Sequence, residues 1–190
     1  MDHHIADGTT FYFVRHGATA ANASNVRCGG DVDVPLLRIG IAQAHAAART
    51  IRAHALPIPM VVSSSLLRAR QTAEIVSIAL GHLPILVEPL FDERRLGELN
   101  GAPIALTESL LSAETAPASV EPLDAFQARV AQAFSQHRHA FAQGALLVSS
   151  KGVARMISRV LDIVDHVPVD TGGLLEYRIE PRGHLCRLLT

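Results

Sequence analysis

Apolar residues along the chain follow two spacings, and the switches between them mark the elements. Phe11-Tyr12-Phe13-Val14 is an unbroken aromatic and β-branched run that stops at Arg15-His16-Gly17. It predicts a buried strand with a cation and an imidazole at its C-terminal tip. Met60-Val61-Val62, Pro84 to Glu88, and Ala145-Leu146-Leu147-Val148-Ser149 are further runs of strand type, the last breaking at Ser150-Lys151-Gly152. Between them the spacing changes to three and four. Ile39, Ala42, Ala46, Thr50 and Ala53 predict a helix from Arg38 to about His54, stopped by Leu56-Pro57-Ile58-Pro59. Leu66, Ala69, Ala73, Val76 and Leu80 predict a second, with Ser63, Ser64 and Ser65 in place to cap it. Leu123, Phe126, Val130, Phe134, His137 and Phe141 predict one long helix, on which His137 is a satisfied histidine at the core boundary. Met156, Ile157, Val160, Leu161 and Val164 give the buried face of another, starting at Val153. Gly173 to Ile179 and His184 to Leu189, around Pro181-Arg182-Gly183, predict a closing hairpin. This alternation implies an α/β fold, a three-layer sandwich with a mixed, mostly parallel central sheet flanked by helices.

Three stretches carry neither spacing. Residues 25–36 are rich in turn formers and long enough to fold over a strand tip. In residues 92–101, acids and arginines crowd around glycines, and Asp92 and Glu98 taken singly read as solvated, self-paired loop charges. Residues 102–120, with Pro103, Pro117 and a short apolar helix from Ile104 to Leu111, read as a lid or excursion.

Composition narrows the partners. With 190 residues, 48% of them hydrophobic, the chain fits a single domain over 1–190 with a sizeable core. A formal net charge of −1 supplies no steering field, and 4% aromatic content with no Trp supplies no stacking platform. No nucleic-acid or membrane partner is therefore expected. The opening residues lack a basic and apolar leader pattern and no 18 apolar residues run together, so a cytoplasmic location is expected. Cys28 and Cys186 are far apart and read as reduced thiols; His137 and His139 stand two apart on a helix and face different ways. Neither a metal site nor a cofactor is expected. Oligomeric state is not legible.

The chemistry that remains is cationic and local. Arginine offers a rigid fork of donors to an oxyanion, and histidine is a nucleophile near neutral pH. Arg68 falls in the first turn of the second helix, where a cation opposes the helix dipole unless an anion shares the spot. Lys151 occupies the same kind of place as Arg15-His16, at a strand tip and helix entrance. On these residues alone, Arg15-His16-Gly17 fits either a phosphate site or a salt-bridged loop with an incidental histidine.

In order and over nearly the whole length, these pieces resemble the histidine phosphatase superfamily, which includes the cofactor-dependent phosphoglycerate mutases. Val14-Arg15-His16-Gly17 with Thr19 and Asn22 looks like its opening signature, continued by Arg27, Gly30, Asp33, Pro35, Leu36, Gly40, Gln43 and Ala44. Ser64 to Ala73 is similar to the second signature, and Glu93 to Gly101 to the segment carrying the acid. The resemblance implies His16 as the nucleophile that takes the phosphoryl group and Arg15 and Arg68 as its oxygen ligands, with Asn22 in support. It implies Glu93 as proton donor to the leaving oxygen. In the family the strand ending at Ser150 delivers a second histidine, and here Lys151 stands in that place, catalytic and phosphate-binding by position. A lysine is a mobile point charge, and loss of one aligned stabiliser typically costs about 10² to 10³ in rate. Three functions follow: a phosphomonoester hydrolase acting through phosphohistidine on a small phosphorylated substrate, slowed by Lys151; a phosphoglycerate mutase-type transferase; and a phosphate-binding pseudoenzyme. Residues 26–34, 102–120 and 170–173 are the expected sources of selectivity.

Overall fold

The computed structural model describes residues 7–112 and 116–190; the opening six residues weighed for a leader, and residues 113–115 of the expected lid, lie outside them. In chain order the elements are β1 (Thr10–Arg15), α1 (Ala20–Ala23), α2 (Arg38–Ala53), β2 (Val61–Ser63), α3 (Leu67–Ala79), β3 (Ile85–Val87), α4 (Ile104–Ser112), α5 (Leu123–Gln136), α6 (Arg138–Ala142), β4 (Leu146–Ser149), α7 (Lys151–Val160), β5 (Leu174–Arg178) and β6 (Leu185–Leu189). Short 3₁₀ turns at Pro89–Phe91 and Gly97–Leu99 shape the segment after β3.

One six-stranded sheet runs in the order β3-β2-β4-β1-β5-β6. The first four strands of that order are parallel neighbours, and the β5-β6 hairpin adds antiparallel to β1. The expected mixed, mostly parallel sheet is thus present. Its three layers follow from the period of two along each strand. Phe11 and Phe13 point to one face, where they meet Phe126, Phe134 and Phe141 of α5 and α6 and Met156 and Ile157 of α7. Tyr12 and Val14 point to the other, against Ala47, Ala48 and Ile51 of α2 and Ala69, Ala73 and Val76 of α3. The aromatic face is tightly built: Phe11 stacks on Tyr177 with centroids 4.9 Å apart and lies 5.2 Å from Phe141.

Several expectations are corrected. Helix α2 buries Gly40, Ala44, Ala47, Ala48 and Ile51, while Ile39 is 60% exposed. An alanine-rich helix has several weak stripes, and the glycine that lets α2 approach β1 sets the register. Val164 is 94% exposed because α7 ends at Val160. The long helix breaks at His137, whose ring pairs with Glu88 at 2.7 Å. The serines after β2 do not cap α3. Its cap position is Leu66, and the Leu67 N–H donates instead to Asp33 across a loop at 2.6 Å.

The fold sets up the site through one register. Arg15 pairs with Ser149, so the C-terminal tips of β1 and β4 lie side by side, and the His16 N–H donates to the Ser149 carbonyl at 2.8 Å. The ends of parallel strands are where α/β sheets bind ligands.

Candidate active site

The tip of β1 is held on every side. A Cβ added at Gly17 would fall 2.2 Å from the Gly40 carbonyl oxygen, so only glycine lets the first turn of α2 close on the strand tip. The Gly17 N–H donates to Thr72 Oγ1 at 3.1 Å, and that hydroxyl donates to the Arg68 carbonyl at 2.8 Å, so the β1 tip and α3 are joined. Between them sits His16, 6% exposed. Its Nδ1 lies 2.8 Å from the Gly17 carbonyl oxygen. A carbonyl only accepts, so Nδ1 carries the proton and Nε2 keeps its lone pair. Burial, then the charge of Arg68 and more weakly that of Arg15, lowers the His16 pKa to about 3 against the opposing pull of the Gly17 bond. The ring is neutral at physiological pH.

Arg68 is 1% exposed and lies in the first turn of α3. Its guanidinium donates to the carbonyls of Val32 at 2.8 Å and Gly29 at 3.1 Å, which folds the 25–36 loop over the strand tips as expected. Arg15 donates to the Val169 carbonyl at 3.0 Å, while its Nε is buried with no hydrogen-bond partner among the described residues. Asn22 accepts from both the N–H and hydroxyl of Thr19 at 3.0 Å through Oδ1. That leaves its amide NH₂ to the cavity, which Asn22 also lines.

Glu93 reaches the site by a route that sequence reasoning missed. Asp92 is no solvated loop charge: its carboxylate accepts from both the N–H and hydroxyl of Ser65, at 2.8 and 2.7 Å, and from the Ser64 hydroxyl at 2.8 Å. The serines after β2 therefore serve as its partners. Arg129 of α5 grips Glu121 with two donors, at 2.7 and 2.9 Å, and donates to the carbonyls of Leu90, Asp92 and Glu93 at 2.8, 2.7 and 2.9 Å. Burial alone would raise the Glu121 pKa, but hydrogen bonds from Arg129 and the Arg95 N–H hold it below the usual value. Arg129 shows in the sequence only as a cation wedged between Phe126 and Val130 of a buried stripe. Glu98, by contrast, is exposed, and its carboxylate accepts from the Ser119 hydroxyl at 3.0 Å, as a surface loop charge does.

At the tip of β4, Ser150 occupies the cap position of α7 with its hydroxyl buried and unpaired among the described residues. The helix begins at Lys151 rather than Val153. The Gly152 N–H donates to Glu93 Oε2 at 3.0 Å, and the Arg94 N–H donates to Oε1 at 2.8 Å. A Cβ at Gly152 would stand 2.0 Å from Oε1, so the carboxylate packs where only glycine leaves room. Lys151 is exposed; its charge is felt at His166, whose pKa burial, Arg155 and Lys151 together lower, whereas the charges acting on His16 are those of Arg68 and Arg15.

Arg15, His16, Asn22, Arg68, Glu93 and Lys151 all line one cavity of about 360 Å³. Val26, Arg27 and Cys28 close it from the 25–36 loop, and Ile104, Glu108 and Leu111 from α4, in the expected lid. Arg27 joins those two covers through Thr107 at 2.9 Å and Glu108 at 2.5 Å. Residues 170–173 do not line it. They support the β1 tip from behind, the Gly172 N–H donating to the Arg15 and His16 carbonyls.

A sequence model of the histidine phosphatase superfamily (branch 1) matches residues 11–188. Over 93 residues the chain is 42% identical to the probable phosphoglycerate mutase GpmB of Yersinia pestis (strain Pestoides F), a match to 49% of this chain and 41% of that protein. The chain thus spans less than half the length of the curated relatives it matches. TTHB049 from Thermus thermophilus superposes with a TM-score of 0.75 at 32% identity, over 95% of this chain and 99% of that one. The alpha-ribazole phosphatase from Shigella flexneri superposes with a TM-score of 0.76 at 25% identity, over 95% of each chain.

Proposed function

The chain belongs to the histidine phosphatase superfamily, and on that premise we propose that it hydrolyses phosphomonoesters through a phosphohistidine formed on His16. The observation that carries this is the state of the His16 ring: buried, neutral, its Nδ1 proton engaged by the Gly17 carbonyl and its Nε2 lone pair free. In the first step Nε2 attacks phosphorus and the ester P–O bond breaks, with Glu93 delivering a proton to the leaving oxygen. In the second, water attacks the phosphohistidine and gives its proton to Glu93. The P–N bond then breaks, phosphate leaves and Nε2 is restored. Arg15 and Arg68 meet the charge on the transferring group, helped by the amide of Asn22. Catalysis of this kind is chiefly positioning and electrostatics. The unpaired buried Nε of Arg15 and hydroxyl of Ser150 support an anion at this place, because buried donors are ordinarily matched.

The resemblance implies a second histidine at the tip of β4, where Ser150 lies level with His16 by the strand register and Lys151, one residue on, is exposed; neither supplies a fixed ring, so turnover is slowed. Hydrolysis is favoured over mutase-type transfer because the stretch after Gly101 lacks the longer, basic insertion that the resemblance assigns to the mutases: residues 102–120 contain no Lys or Arg. A cavity of about 360 Å³ suits a small phosphorylated metabolite of the cytoplasm.

The test is direct. Incubated with an aryl phosphate and quenched in alkali, the protein should carry base-stable, acid-labile phosphate, and His16→Ala should carry none and lose about 10⁴ or more in kcat. Undiminished phosphate release by His16→Ala would overturn the reading. Movement of phosphate between positions of added phosphoglycerate, without release, would replace it with the mutase.

A further inference from the structure

Helix α7 leaves the reaction centre with an unusual face. Lys151, Arg155 and Arg159 are spaced by four, so they stack on one side of the helix, and all three are exposed and line the cavity. Like charges at this spacing destabilise a helix, and a cation in the first turn opposes its dipole. Arg27 pairs with Glu108, Arg129 with Glu121, and Arg178 and Arg187 with Glu176, whereas Arg38, Arg49, Arg52, Arg70 and Arg182 lie exposed on the surface outside the cavity; what sets the α7 cations apart is that three of them stand at one spacing on one cavity wall. The side chains of Lys151, Arg155 and Arg159 make no hydrogen bond or ion pair among the described residues. At 1.5 Å per residue the track rises about 6 Å from Lys151 to Arg155 and about 12 Å to Arg159.

The rest of the cavity wall contrasts with this face. Ile104 and Leu111 of α4 and Leu123 and Phe126 of α5 line the same cavity with apolar groups, and Leu123 and Ile104 are 38% exposed there. One wall is therefore cationic, and α4 and α5 contribute apolar groups beside Glu108, whose charge is met by Arg27.

We propose that Arg155 and Arg159 form a second anion subsite, so that the preferred substrate is a phosphomonoester carrying another anionic group at the far end of an apolar body, reaching along the face of α7 that rises about 6 Å from Lys151 to Arg155 and about 12 Å to Arg159. The proposal rests on the phosphatase reading above and names its substrate class. The ester phosphate sits at His16 and Arg68. The spacer lies against α4 and α5, and the distal phosphate or carboxylate pairs with the guanidinium groups, whose planar forks suit such oxyanions.

Hexanediol bisphosphate and hexyl monophosphate differ only in the distal group and make the probe pair. The protein should favour the bisphosphate in kcat/KM by tenfold or more, mainly through KM, and the preference should shrink with added salt. Arg155→Gln with Arg159→Gln should collapse that ratio towards one. Arg49→Gln with Arg70→Gln, an equal loss of two charges at exposed positions outside the cavity, should leave it intact. Equal kcat/KM for both probes in the unaltered protein, or a ratio untouched by the double variant, would sink the subsite. Calorimetric binding of the same two probes separates this proposal from the one it rests on. A bisphosphate preference in binding that the double variant removes, without turnover, would uphold the subsite and overturn the phosphatase; turnover without preference would do the reverse.

Discussion

The tips of β1 and β4 are neighbours in register and alike in sequence, each a run of buried strand residues ending in a charged or titratable residue and a glycine. They are built to opposite standards. At β1 the functional side chain is buried and its ring is fixed by a hydrogen bond, with Gly17 locked against α2. At β4 Lys151 stands exposed and unpartnered among the described residues, while the precision lies one residue on and in the main chain, where Gly152 holds Glu93. The contrast shows that a strand tip can serve a site in two ways: β1 delivers a preorganised side chain, and β4 a preorganised N–H with a charge loosely attached.

The sharpest way to break that comparison is to fill the space at Gly152. In Gly152→Ala the methyl group would lie 2.0 Å from Glu93 Oε1, and the carboxylate, being the end of a flexible chain, would swing away. Displacing a general acid should cost about 10³ in kcat. Stability should change little, because Glu93 and not the core gives way. A variant with full activity would mean that Glu93 need not be where Gly152 puts it; a large drop in melting temperature alongside lost activity would make Gly152 a folding residue instead.

How far this could be read from the sequence follows the same division. Buried strands and their tips were legible because Phe11 to Val14 and Leu146 to Val148 have no alternative period, and the three ordered motifs brought Arg15, His16, Arg68 and Glu93 to one cavity. What failed depended on partners distant in the chain. The face of α2 is not legible because alanines weigh alike in any stripe, and the approach of Gly40 to Ala18, with a Cβ there only 2.3 Å from the Ala18 oxygen, decides the register. Asp92 reads as a surface charge because its serines lie 27 and 28 residues away, and Arg129 gives no signal because its work is done on carbonyl groups that no sequence pattern displays.

The burial of the β1 tip can be weighed by pH. Unfolded, His16 takes up a proton as pH falls through its ordinary value of 6.5; folded, it resists until about 3. Between those limits the unfolded chain binds more protons, so stability present above pH 6.5 is lost as pH falls. From pH 7 to 4 this site alone should remove about 3 kcal/mol. His16→Gln keeps a polar group of similar size and does not titrate, so urea unfolding at the two pH values should show the parent losing more stability than the variant by that amount. Equal losses would mean that water reaches the ring and that the two tips differ less than their geometry implies.

Lys151→His is the gentlest change and bears most closely on what separates the tips. A histidine at the entrance of α7 would replace a long, hydrated chain with a ring of two torsions, and the unpaired Ser150 hydroxyl lies next to it in the chain. Less conformational freedom is then lost when a donor is aligned on the transferring phosphoryl group. The variant should therefore gain in kcat by about tenfold, short of the 10² to 10³ that one ideally placed donor can supply, since nothing around this position has been shaped to orient a ring. Charge also distinguishes the two cases. An imidazole titrates near neutral pH, so a gain in kcat that grows below pH 7 would mark a protonated ring acting on phosphate. Unchanged or reduced turnover would show that the loose ammonium group is what this site uses, and that the tip of β4 was built for attraction rather than alignment.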